Sequence, residues 1–173
     1  DVVTHPDRLL SRGVVTLALL RNVAVVTIAL ELVLSSAISS MALAAWAGAF
    51  AFTLLMRVEF GIGEWLSPRI VLYALTHNPI TALLAMFAWA ATGVEFTSIY
   101  AEYLLMASFG ALAFELGRKT RNPDEEQAGV DTYSSVHGRG RAGVMVAVSM
   151  VAATAFAALV TVGLGAFGVA TGV

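Results

Sequence analysis

An all-α bundle that crosses a lipid bilayer several times is the architecture to expect from these 173 residues, on three grounds. The composition is 58 % hydrophobic and only 13 % charged, with a mean hydropathy of +0.82. A soluble domain carries about 25 % charged residues, and a chain of this size exposes too much surface to hide such a deficit. Five apolar runs are each long enough to span, because roughly 20 helical residues at ~1.5 Å rise cross a ~30 Å hydrocarbon core. Finally, the basic residues gather on alternate connections between those runs.

The runs cover residues 14–36, 38–56, 71–92, 99–116 and 142–162, and 163–173 either prolongs the fifth or opens a loop. Leu, Ala, Met and Phe fill them without period-two alternation, which disfavours a barrel of half-apolar strands. Small residues recur inside them, as in the stretch from Ala42 to Ala49. Such residues let helix backbones approach closely in lipid, so a packed bundle is expected rather than a single anchor. In the third run, Pro79 removes a backbone donor and predicts a kink capped by Asn78. His77 beside it has no second ligand nearby in sequence and is poor support for a metal. No repeat or linker divides the chain, so residues 1–173 read as one membrane domain. The chain begins without Met and ends inside an apolar run, and is expected to be part of a longer one.

Arg8 and Arg12 precede the first run, Arg57 and Arg69 separate the second and third, and Arg118, Lys119, Arg121, Arg139 and Arg141 separate the fourth and fifth. Arg21 is the one basic residue inside a run, close enough to its start to snorkel. This asymmetry puts residues 1–13, 57–70 and 117–141 on the cytoplasmic side of a multi-pass protein of the cell membrane. A net charge of −2, with the few cations confined to one side, gives no case for nucleic acid. The absence of Cys excludes disulfides, thiolate metal sites and cysteine nucleophiles. Phosphate-binding loops, dinucleotide fingerprints and the zinc-protease helix motif are also missing.

The polar chemistry collects in 117–141. There Arg118, Lys119 and Arg121 precede Asp124, Glu125 and Glu126, with Asp131 following. If the segment from Asp124 onwards is helical, Asp124 and Asp131 share a face with Glu125 beside them. Clustered carboxylates suit a hard cation, and Mg²⁺ takes one or two of them while keeping positions for water or phosphate. Arg118 and Lys119 would complement phosphate oxygens that the metal does not reach. The alternative is a solvated loop whose charges orient the protein. Arg57 is equally open: a topology determinant, or a partner for an anionic group. Glu31, Glu95 and Glu102 read as interfacial, Trp65 as an anchor, and Glu115 as belonging to either the bundle or the site. Asp1 and Asp7 open the chain on the same side as the acidic loop, four runs away in sequence.

These residues resemble the UbiA-type superfamily of intramembrane prenyltransferases. The stretch Arg8-Leu9-Leu10-Ser11-Arg12-Gly13-Val14-Val15-Thr16 is similar to the pattern that follows that family's first Asp-rich motif, with Leu9 where Pro is usual. Asp124-Glu125-Glu126-Gln127-Ala128-Gly129-Val130-Asp131-Thr132, followed by Gly138, is similar to its second motif, with Arg121 standing near where the family commonly has Asp. The resemblance implies a part of a nine-helix fold around a central cavity, and Mg²⁺-dependent transfer of an isoprenyl group from its diphosphate to a hydrophobic acceptor within the bilayer. It implies Asp1, Asp124 and Glu125 as metal ligands, Asp124, Glu125 and Asp131 as catalytic acids, and Arg57, Arg118 and Lys119 as diphosphate binders. The rival is a transporter or structural bundle with the acidic loop as a partner surface, for which a second broken helix would be needed. Acceptor, chain length and oligomeric state stay open.

Overall fold

The computed structural model describes residues 9–126 and 129–171, with side chains described to residue 165. Its described residues are helical or in turns, without a strand. The helices are α1 (Leu17–Ile38), α2 (Ser40–Arg57), α3 (Gly63–Leu66), α4 (Ile70–His77), α5 (Pro79–Ala90), α6 (Ser98–Arg118), α7 (Tyr133–His137) and α8 (Arg139–Thr171). A 3-10 turn, Glu59–Gly61, links α2 to α3. Five stretches are long and apolar enough to cross a membrane: Leu17–Ile38, Ser40–Arg57, Ile70–Ala90, Ser98–Arg118 and Arg139–Gly165. At ~1.5 Å per residue α8 is ~50 Å long, more than the ~30 Å hydrocarbon core requires.

The connections between spans are short where the sequence is small and polar. Ser39 ends α1 with extended backbone, its N–H donating to the Ser35 carbonyl at 3.4 Å, and its hydroxyl accepts from Ala42 N–H at 3.0 Å to start α2. One serine thus satisfies orphan groups of two helix ends and reverses the chain. At the break in the third span, Pro79 occupies the first turn of α5, where a missing N–H costs nothing. The expected cap does not form there. Asn78 keeps right-handed helical dihedrals (φ −60°, ψ −32°), so its side chain leaves the helix and donates to the Ser108 carbonyl of α6 at 3.1 Å.

Packing follows small residues. Ala42, Ala45 and Ala49 are buried along α2, and the first two meet Ala90, Met86 and Phe87 of α5. Three alanines at three- and four-residue spacing form a stripe that admits a second helix at short range. The other core joins Ala74 of α4, Leu116 of α6, Tyr133 of α7 and Ala142 of α8. In the order α1–α2–α5–α6–α8, each helix packs on the next, and α6 with α8 make the most extensive contact. Outside these seams the helices expose large apolar side chains, such as Leu17, Val33, Phe114 and Val162, as a surface bathed in acyl chains requires.

Candidate functional site

The end of the bundle that carries most of the Arg residues encloses a cavity of about 420 Å³ between α2, α4, α5 and α6. Tyr73, His77 and Asn78 line one side of it and Glu115, Arg118 and Lys119 the other. The last turn of α6 delivers the charged wall. Glu115 accepts from Arg118 at 2.5 Å and from Lys119 at 2.9 Å, three and four residues along the same helix face. Lys119 Nζ also lies 6.0 Å from the centre of the Tyr73 ring, at the outer limit for a cation–π contact.

The opposite wall depends on an unusual turn. Glu59, Phe60 and Gly61 adopt left-handed φ values of 50°, 54° and 73° in succession. For a non-glycine residue that conformation costs roughly 1–2 kcal/mol, and it persists where surrounding contacts over-determine it. Here the contacts are on the page. Glu59 Oε1 accepts from the Tyr73 hydroxyl at 3.0 Å, and Oε2 lies 3.4 Å from His77 Nε2. The Phe60 ring meets the His77 ring edge-on, 5.4 Å between centroids. Tyr73 and His77, one helical turn apart, stack at 4.0 Å. Gly63 completes the arrangement, because a Cβ there would stand 2.9 Å from Glu59 Cβ.

The acidic loop folds differently from the helix considered for it. Residues 123–125 form a turn, in which Glu125 N–H donates to the Asn122 carbonyl at 3.0 Å and Glu125 Oε2 accepts from Asn122 N–H at 3.1 Å. A carboxylate that folds back onto its own turn closes it and competes with helix. Asp124, Glu125 and Asp131 are consequently exposed and do not share a helical face. The acid that the loop is built on is Glu126. Its carboxylate accepts from Ser134 at 2.6 Å and from Thr132 at 2.7 Å, and these hydroxyl donors, Ser134 first, hold it below the usual carboxylate range. Thr132 and Ser135 form a reciprocal cap on α7. Tyr133 is fully buried, its N–H donating to the Lys119 carbonyl at 3.0 Å and its hydroxyl to the Ile70 carbonyl at 3.3 Å. Burial, reinforced by the Glu115 charge and opposed by Arg118, pushes its phenol up to about 12. The loop therefore locks onto the ends of α4 and α6 that form the cavity.

Of the residues anticipated from sequence, Arg118 and Lys119 line the cavity. Arg57 is exposed at the C-terminus of α2, and Asp1 lies outside the described residues. Among the described residues no three His, Asp or Glu side chains gather as a metal site; of the expected magnesium ligands, Asp124 and Glu125 stand exposed in the loop turn and Asp1 lies outside the described residues. Sequence reasoning missed Glu59 and Glu126 and left Glu115 undecided. The signal for Glu59 was present: two glycines, Gly61 and Gly63, close behind it, followed by Tyr73 and His77 at helical spacing.

The far end of the same helices holds a cavity of a different kind, about 350 Å³, lined by Ala45, Met86, Trp89, Val94, Phe96 and Tyr100. Trp89 Nε1 donates to the Val94 carbonyl at 3.0 Å, and Phe96 and Tyr100 pack edge to face at 4.5 Å.

No protein-family model, no curated protein and no solved structure matches the chain.

Proposed function

We propose that the protein is a membrane prenyltransferase of the UbiA type, moving an isoprenyl group from its diphosphate to a hydrophobic acceptor, with the Arg-rich end of the bundle at the cytoplasmic face. The observation that carries this reading is the charged wall of the 420 Å³ cavity: Arg118 and Lys119, held by a single carboxylate, at the end of an otherwise apolar bundle. An allylic diphosphate divides in the same way, with a hydrocarbon tail suited to lipid-level surfaces and an anionic head suited to guanidinium and ammonium groups. As its C–O bond breaks, negative charge grows on the departing diphosphate, and donors already in place lower that barrier. Glu115 would be the group those cations exchange for phosphate oxygens. Magnesium belongs to the reading through the sequence resemblance alone, and the described residues gather no metal centre.

The test is transfer by the purified full chain in lipid nanodiscs, supplied with labelled isoprenyl diphosphates of several lengths, Mg²⁺ and a lipid extract as acceptor source. Release of diphosphate together with a labelled lipid product, abolished by EDTA and by the double substitution Arg118→Ala with Lys119→Ala, is the expected result. Absence of both products, or full activity in the double variant, would overturn the proposal.

A further inference from the structure

A separate cavity of about 440 Å³ lies where the start of α4 meets α7, with Arg69, Val71, Leu75 and His137 in its wall. An apolar crevice of about 300 Å³ adjoins it across Val71 and Leu75, which belong to both walls and stand one turn apart on α4. That crevice runs between α4, α6 and α8 as far as Phe109 and Val148. Its one hydroxyl, Ser149, is bonded to the Met145 carbonyl at 2.9 Å, so it offers a ligand hydrocarbon alone. The head of the pair is polar. Arg69 and His137 stand just before the spans Ile70–Ala90 and Arg139–Gly165, at the level where a bilayer carries its headgroups. The Arg69 guanidinium lies 4.4 Å over the Trp65 ring and donates to the Trp65 carbonyl, and no carboxylate pairs with it among the described residues. His137 Nε2 is buried and has no hydrogen-bond partner among the described residues, a cost that a ligand oxygen would remove.

We propose that this crevice holds one anionic phospholipid of the leaflet at the Arg-rich end, its phosphate at Arg69 and His137 and one acyl chain along Val71, Leu75 and Val148. A guanidinium without a carboxylate partner suits a headgroup of net negative charge, and its paired N–H donors match phosphate oxygens. The depth fits a lipid chain. From Arg139 at the start of α8 to Val148 the helix rises ~14 Å, close to half of the ~30 Å hydrocarbon core. The crevice therefore ends near the bilayer midplane, where Phe109 stacks on Phe156 of α8 with 5.8 Å between centroids. A further spanning helix would need a groove continuing through both leaflets, whereas an acyl chain needs one. Neither Arg69 nor His137 belongs to the wall of the 420 Å³ cavity, so the site stands whether or not that cavity transfers prenyl groups.

The experiment is native mass spectrometry of the full chain released from micelles that contain equimolar phosphatidylglycerol and phosphatidylcholine, with thermal unfolding as monitor of the fold. The expected result is one phosphatidylglycerol retained per chain in preference to phosphatidylcholine. Retention should fall about tenfold when Arg69→Gln and His137→Gln are combined, since charge-assisted bonds to the phosphate are lost. It should fall as well in Leu75→Trp, whose indole fills the crevice, but not in Leu105→Trp, an exposed position of α6 outside it. Excess inorganic phosphate should not displace the lipid, because the acyl chain carries part of the binding. Equal retention of the two lipids, undiminished retention in the double variant, or displacement by inorganic phosphate would overturn the site. If Leu75→Trp does not fold, Val148→Trp decides the seat of the chain, and unchanged retention there overturns it.

Discussion

The two ends of the bundle draw on the same three helices, α2, α5 and α6, and enclose opposite chemistries. Between Met56 of α2 at the Arg-rich cavity and Ala45 at the far one the helix rises only ~16 Å. At the far end alanines and aromatic rings leave an apolar space whose few polar groups, such as Trp89 N–H, are satisfied by backbone. At the Arg-rich end a helix break and the last turn of α6 bring His77, Glu115, Arg118 and Lys119 to one cavity, and a strained turn sets Glu59 behind Tyr73 and His77. Close packing in lipid is achieved by small residues without strain. Left-handed non-glycine backbone and grouped charges are costly, and both concentrate at one end.

Six substitutions test that contrast. The largest effect is expected from Tyr133→Ala, which empties a fully buried position where the loop, α4, α6 and α8 meet. An aromatic-to-alanine change in a packed core costs about 3–5 kcal/mol, and thermal unfolding in detergent should show that loss, with the Arg-rich end becoming protease-sensitive first.

Next comes Arg118→Ala, which under the proposed prenyl transfer should lower kcat/KM for an isoprenyl diphosphate about 100-fold, the usual effect of removing one donor to a developing anion. Met86→Leu at the far cavity should leave the rate within about twofold; comparable losses in both variants would erase the distinction between the ends.

The loop itself has an acid limit. Glu126 is held below the ordinary carboxylate range by Ser134 and Thr132, so its contribution is fully present above the ordinary value and fades as pH falls through the lowered one. Hydrogen exchange across residues 119–138 should therefore quicken below about pH 4, and Glu126→Gln should remove that pH dependence.

The smallest effects come from placing the same methyl at each end. Gly163→Ala brings a Cβ within 2.8 Å of Ile99 Cγ1, a strain of about 1 kcal/mol that the better helix propensity of Ala largely offsets. Gly63→Ala meets Glu59 Cβ at 2.9 Å, and its signature should be a displaced His77 NMR signal rather than a large change in stability.

The spans were legible because hydropathy and length are sums over contiguous residues. The apolar runs ending at Ser36, Met56, Thr92 and Leu116 correspond to helices ending at Ile38, Arg57, Ala90 and Arg118. Arg118 and Lys119 were legible as anion-binding candidates because a basic group, with Arg121, directly follows an apolar run and precedes the acidic cluster. The helical face drawn through Asp124 and Asp131 does not form for a physical reason: helical spacing is a property of helices, and the Asn122–Glu125 segment is a turn.

Local chemistry was enough to settle that the chain is helical, where its apolar helices run and which connections carry cations, since each depends on composition along a single stretch. Glu59 reaching Tyr73 and His77, Asn78 bridging to Ser108 instead of capping, and Glu126 closing the loop all join residues whose neighbours come from packing. Those pairings depend on left-handed dihedrals and on how closely helices approach, and a linear order of residues encodes neither until the bundle has formed.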